Sequence, residues 1–266
     1  MPEVNLEKHG KIYYIEKGSS QKDTIILLHG LGNRSISWKK QLDLLGEDYH
    51  VIAWDAPGYG ESDDPDPWLC HFSEFADILY EFVETLKLKN IFLLGHSMGA
   101  AIAIDFTYRY PEKVRKLIIA APTRGGAFID EATNKSKLEN RLHAVNKEGS
   151  VKLARDRTEN LFSSHASKEL IKKSEKIMQQ VRPAGYSSVA YSLYNLNQKE
   201  IYSRIRTPTL VICGEEDRVT PVPESEYIHQ QIPQSELILL SKAGHVCFLE
   251  QAESFRNSIV CFLKKT

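Results

Sequence analysis

Short apolar runs recur along the chain, each closed by a turn signal and followed by a stretch whose apolar residues return at helical spacing. This alternation predicts a parallel sheet with crossover helices. A strand buried on both faces reads as one continuous apolar run, and its covering helix shows a single apolar stripe. The runs Thr24–Leu28, His50–Trp54, Ile91–Leu94, Val114–Ala120, Thr209–Cys213 and Glu236–Leu240 are short and rich in β-branched residues, which predicts strands. Lys11–Glu16 predicts an antiparallel strand ahead of them. Helical spacing marks Phe72–Leu86, with Phe75, Ile78, Leu79, Phe82, Val83 and Leu86 on one face, and recurs in Ala100–Tyr108 and Phe255–Leu263.

The alternation stops near Thr123 and resumes near Thr207. The stretch between is Lys-rich, helical in period and poor in strand signals, which predicts a helical cap inserted into one core. Residues 1–122 then form the first part of the core, 123–207 the cap and 208–266 the second part. A chain of 266 residues accommodates one large α/β domain with such an insertion. The excess of Lys and Arg over residues 130–176 has two readings, an anion-collecting surface and, as the simpler one, the solvated outer faces of cap helices bearing mixed charges.

Charge and cysteine usage narrow the function classes. Lys and Arg total 34 against 35 Asp and Glu, so no net field recruits nucleic acid or an anionic membrane, and a small substrate suits the chain better. Cys70, Cys213, Cys247 and Cys261 show no C-x-x-C spacing and no regular framework, which argues against zinc and disulfides and for reduced, cytosolic thiols. The polar start Met1–Asn5 has no signal-peptide character, and no window approaches the roughly 18 apolar residues of a membrane span. These features predict a soluble cytoplasmic protein. Oligomeric state leaves no mark in the sequence.

The chemistry centres on Gly95-His96-Ser97-Met98-Gly99, a G-x-S-x-G between the apolar run Ile91–Leu94 and the small, helical Ala100-Ala101-Ile102-Ala103. A strand reversing sharply into a helix forces strained backbone at its centre and needs glycines where the two elements pass. Ser97 is the expected nucleophile, held at the carboxyl edge of the sheet. The Met98 N–H, at the positive end of the helix, is the first expected oxyanion donor.

A serine hydroxyl needs a base, and His245, on the loop after the run ending at Leu240, should emerge at the same sheet edge. His29 and His96 are its rivals. The acid that orients the base should follow an intervening strand, where Gly214-Glu215-Glu216-Asp217 offers Asp217, with Glu216 as the competitor. The loop His29-Gly30-Leu31-Gly32-Asn33 after Thr24–Leu28 supplies the Leu31 N–H as second oxyanion donor. Asp55-Ala56-Pro57-Gly58-Tyr59-Gly60-Glu61-Ser62 reads as a rigid structural loop, and G-x-G-x-x-G and P-loop patterns are absent.

With these segments in order, the chain resembles the α/β-hydrolase superfamily over nearly its whole length. His29–Gly32 looks like its oxyanion loop and Asp55–Ser62 like its D-x-P-G-x-G-x-S loop. Gly95–Gly99 looks like its nucleophile elbow, while Pro208–Asp217 and Gly244-His245 are similar to its acid and base segments. The resemblance implies an α/β-hydrolase fold with a central, mostly parallel eight-stranded sheet, no metal or organic cofactor, and an acyl-enzyme mechanism. Serine at position 97 sets the chain apart from dehalogenases and epoxide hydrolases that attack through a carboxylate. Meta-cleavage carbon–carbon hydrolases commonly show asparagine before the serine and tryptophan after the histidine, where this chain has His96 and Val246. The segment Val181–Tyr186 looks like the cap of small carboxylesterases and enol-lactonases. An enol-lactone with free carboxylates would want cations at the pocket mouth, for which Arg34, Arg124 and Arg182 are candidates, each with cap-packing or surface roles as the alternative.

The expected activity is hydrolysis of small-molecule carboxylic esters by Ser97, His245 and Asp217. A lactonase using the same machinery is the runner-up. Carbon–carbon bond hydrolysis and a noncatalytic small-molecule receptor on the same fold are the further alternatives.

Overall fold

A computed structural model describes residues 2–265. Its core is one eight-stranded sheet in the order β1-β2-β4-β3-β5-β6-β7-β8. The strands are β1 (Glu3–Leu6), β2 (Gly10–Lys17), β3 (Thr24–Leu28), β4 (His50–Trp54), β5 (Ile91–His96), β6 (Val114–Ala120), β7 (Thr209–Gly214) and β8 (Ser235–Leu240). β1–β2 and β2–β4 pair antiparallel, and every other neighbouring pair is parallel. Three central runs have the bounds that the apolar pattern predicts, β5 and β7 extend further into their turns, and β8 starts a residue earlier. β1 was not predicted: of Glu3, Val4, Asn5 and Leu6 only Leu6 is buried, so the strand has almost no apolar signature.

The helices follow the same logic. α1 (Lys39–Leu45), α2 (Phe72–Thr85), α3 (Met98–Arg109), α9 (Val222–Gln231), α10 (Cys247–Glu250) and α11 (Ala252–Lys264) flank the sheet. At the start of α2 the Glu74 carboxylate accepts from the N–H groups of His71 (2.7 Å) and Cys70 (2.6 Å), which satisfies donors that a helix start leaves free. α3 is buried on every side from Met98 to Thr107, which explains its small-residue composition and weak amphipathic pattern.

Between β6 and β7 lie only helices: α4 (Glu131–His143), α5 (Ser150–Arg157), α6 (Lys168–Met178), α7 (Pro183–Tyr194) and α8 (Lys199–Tyr202), with a π turn at Ala144–Glu148. Gln198 and Arg182 are among the side chains that anchor this segment. Gln198 Nε2 donates to the Ala101 carbonyl (2.7 Å) and to Asp105 (2.8 Å) on α3. Arg182 binds Asp64 (2.8 Å), the Ser62 carbonyl (2.5 Å) and the Gly60 carbonyl. The Asp55–Ser62 loop is pinned from within, because Asp55 accepts from Ser35 N–H (2.6 Å) and Glu61 N–H (3.0 Å). Gly58 there approaches Gly185 of α7 so closely that a Cβ would lie 2.3 Å from the Gly185 Cα.

α4 has no fully buried residue, in keeping with solvated outer faces, yet two of its cations turn inward, as described below. All four cysteines are free. Among the described residues no helix is long and apolar enough to cross a membrane.

Candidate active site

β5 ends at His96 and α3 begins at Met98, so Ser97 alone makes the reversal, at φ 54° and ψ −114°. A non-glycine residue persists there only where its surroundings over-determine it. The flanking glycines are part of that constraint. A Cβ on Gly95 would lie 2.1 Å from the Gly99 carbonyl oxygen, and one on Gly99 would lie 2.4 Å from that of Leu28. Ser97 N–H donates to the Ala120 carbonyl of β6 (2.9 Å), which locks the turn to the neighbouring strand.

Asp217 and His245 meet beside this turn. Each sits on a loop leaving the carboxyl end of a parallel strand, β7 and β8, and such loops cluster at one sheet edge. His245 Nδ1 lies 2.9 Å from Asp217 Oδ2, with the two side chains 5% and 0% exposed. Burial opposes the charge on Asp217, but His245, the Thr220 N–H (2.9 Å) and the Thr220 hydroxyl (2.9 Å) outweigh it and hold the carboxyl below its usual range. An ionised carboxylate only accepts, so the Nδ1 nitrogen of His245 carries a proton, and in the neutral imidazole Nε2 is then the nitrogen able to accept one. His245 and Ser97 line one cavity, but no hydrogen bond joins their side chains among the described residues. Such contacts are often open before substrate binds.

The rival residues have other employment. His29 is fully buried and braces the oxyanion loop, with Nδ1 3.0 Å from the Gly30 carbonyl and Nε2 accepting from Ala56 N–H at 3.0 Å. His96 Nε2 donates to the His245 carbonyl (2.8 Å), and burial beside His245 pushes its pKa down to about 3. Glu216, the competitor for the acid role, accepts instead from Ser164 N–H and Oγ, both at 2.9 Å. Its carboxylate thereby ties the β7 loop to the helical segment.

The cavity at Ser97 measures about 130 Å³ and is lined by Leu31, Ser97, His245, Thr220, Tyr186 and Met178, among others. The Leu31 and Met98 N–H groups have no acceptor among the described residues. Met98 is the first residue of α3, whose opening N–H groups are left free by helix geometry. Leu31 follows Gly30, where a Cβ would come within 3.2 Å of the Ser97 Cβ, so the loop backbone lies against the serine.

The arginines suggested for the pocket mouth do not serve there. Arg124 is bonded to Glu224 (2.5 and 2.9 Å) at an adjoining cavity of about 200 Å³, Arg182 is held by Asp64 and two carbonyls, and Arg34 faces Glu61 at 3.5 Å. The cations that do line the Ser97 cavity are Lys137, Arg141 and Arg157. Sequence reasoning also missed Thr220 and Glu250. Glu250 accepts from Gly244 N–H (2.7 Å) and from Ser163 N–H (2.9 Å), which fixes the His245 loop against the helical segment. The D-x-x-T spacing of Asp217 and Thr220, a pattern of side-chain-closed turns, was the available signal for Thr220.

Known proteins agree with this architecture. The family model for the alpha/beta hydrolase fold matches residues 23–252. A curated relative, the 2-hydroxy-6-oxononadienedioate/2-hydroxy-6-oxononatrienedioate hydrolase 2 of Pseudomonas putida, is 28% identical over 96% of this chain and 92% of its own length. An esterase from Exiguobacterium antarcticum is 26% identical with a TM-score of 0.87, covering 99% of both chains. The enol-lactonase of Burkholderia xenovorans, at 20% identity, shares the fold with a TM-score of 0.91 over 99% of this chain and all of its own. With the predicted eight-stranded sheet in place and the family match spanning most of its length, the chain belongs to the alpha/beta hydrolase family and is a hydrolase.

Proposed function

We propose that this hydrolase cleaves carboxylic esters of small molecules through an acyl-enzyme formed on Ser97. The observation that carries this reading is the Asp217–His245 pair at 2.9 Å, buried, with His245 sharing one cavity with a serine held in strained backbone. Ser97 Oγ attacks the ester carbonyl while His245 Nε2 takes its proton, and Asp217 keeps the imidazole in the required tautomer and stabilises the imidazolium. The Leu31 and Met98 N–H groups receive the oxyanion, helped by the positive end of α3. His245 then protonates the departing alcohol, and a water activated by the same imidazole releases the acid. In this reading residues 123–207 act as a cap that walls the cavity, and its modest volume suits a short acyl group. Four free cysteines support a cytoplasmic setting.

Two rival bonds use the same residues. A lactone offers its ring oxygen as leaving group, and the curated Pseudomonas putida relative favours carbon–carbon hydrolysis as the second reading. His96 and Val246 stand where the resemblance associates asparagine and tryptophan with that chemistry, which favours the ester. The test is a panel of p-nitrophenyl esters of graded acyl length beside lactones and a vinylogous diketone, with Ser97→Ala as the blank. We expect the highest kcat/KM on a short ester, and kcat lowered roughly 10⁴-fold by Asp217→Asn. A many-fold preference for a lactone or a carbon–carbon substrate displaces the ester reading.

A further inference from the structure

The half-buried arginines of this chain fall into two groups. Arg34, Arg124, Arg182 and Arg256 each meet a carboxylate, from Glu61, Glu224, Asp64 and Asp48 respectively. Arg141 and Arg157 are half-buried too, yet neither has an ion pair among the described residues, and both line the Ser97 cavity. Arg157 Nη1 donates to Tyr186 Oη at 2.7 Å; Arg141 has no side-chain partner among the described residues. Lys137, one turn before Arg141 on α4, adds a third positive charge at the rim.

Among the described residues no carboxylate lines this cavity, and Asp217, behind His245, has a side chain that is 0% exposed. In the adjoining cavity Glu224 is already taken by Arg124. The local imbalance is therefore a property of the site, since the chain as a whole carries a net charge of only −1. Two guanidinium groups held partly out of water without a counter-charge cost free energy, and each raises the cost of the other. Burial and the neighbouring Arg157 accordingly push the Arg141 pKa down from its usual value. Tyr186 sharpens the arrangement: its oxygen accepts from Arg157, which leaves its own O–H free to donate. Planar, multi-donor guanidinium groups beside a phenol match the geometry of a carboxylate.

We propose that Arg141, Arg157 and the Tyr186 hydroxyl form an anion subsite beside Ser97, and that the substrate is an ester bearing a free carboxylate a few bonds from the scissile carbonyl. This rests on the ester-hydrolase reading of Ser97 and specifies its substrate class. The cap then does more than cover the pocket: α4, α5 and α7 each bring one member of the subsite to the cavity.

The test compares mono-p-nitrophenyl adipate with its neutral methyl diester, Ser97→Ala serving as the blank. We expect the wild-type protein to favour the acidic ester by at least about tenfold in kcat/KM, chiefly through KM. The ratio of acidic to neutral kcat/KM should fall roughly tenfold in Arg141→Gln and in Arg157→Gln. Equal kcat/KM for the two esters, or a ratio untouched by either variant, overturns the subsite. Titration of the Ser97→Ala protein with adipate separates the two claims. Binding that is weakened by Arg141→Gln supports the subsite even if neither ester is hydrolysed, and then the ester reading is what fails. No binding of adipate by a protein that hydrolyses the neutral ester overturns the subsite and leaves the hydrolase.

Discussion

At the scale of single residues, the site is held together by contacts too close for any side chain. Gly99 passes under Leu28 with room for a hydrogen and nothing more, since a Cβ would sit 2.4 Å from a backbone carbonyl oxygen that cannot swing aside. Gly99→Ala should therefore cost about 1–3 kcal/mol in urea unfolding and displace the Met98 N–H, with activity falling accordingly. A variant as stable and active as the parent would contradict the turn geometry. The residues of this turn were readable in the sequence because spacing dictates them: a G-x-S-x-G between an apolar run and a small-residue helix leaves few alternatives. Arg141 and Arg157 were not readable. Helical period identifies a face, but which cation turns inward depends on how α4, α5 and α7 cross, and that is decided by contacts as remote as Gln198 with Ala101.

Among elements, the C-terminal helices set the position of the base. Phe248 of α10, three residues after His245, has its ring centroid 4.1 Å from that of Trp38 and 4.9 Å from that of His96, and Phe255 of α11 closes the cluster at 6.2 Å from Phe248. Phe255 is wholly buried, so Phe255→Ala removes a ring from a packed layer under the His245 loop. We expect a loss of about 3–5 kcal/mol and a fall in Tm of roughly 10 °C by calorimetry. A change below 1 kcal/mol would show that the layer does not carry the loop. The strands β3 to β7 were legible because burial on both faces writes an unbroken apolar run. β1 was invisible for the opposite reason: it pairs at the sheet margin through its backbone, with only Leu6 contributing to the core.

For the whole molecule, acid stability follows from two buried imidazoles. Burial lowers the pKa of His29 and takes that of His96 down to about 3, so His96 stays neutral in the fold while the unfolded chain takes up a proton there near pH 6.5. Stability should therefore decline as pH drops below about 6.5, by about 1.4 kcal/mol per pH unit from His96, with His29 adding to the loss in the same direction. Asp217, whose folded pKa is depressed, adds its own loss only below about pH 4, as the carboxylate becomes protonated. Denaturant unfolding between pH 4 and 7 checks this: His96→Asn should remove one histidine's share of the slope, and an unchanged slope would mean that His96 does not stay neutral. The architecture of sheet and inserted helices was legible at this scale from alternation alone, whereas the docking of the helical segment through Glu216, Glu250 and Arg182 depends on partners 52 to 122 residues away. The central claim, that His245 and Asp217 activate Ser97, is tested most directly by fluorophosphonate labelling followed by peptide mass mapping. The account predicts one adduct, on Ser97, formed far more slowly in His245→Ala; an adduct on another residue, or undiminished labelling without the imidazole, would contradict it.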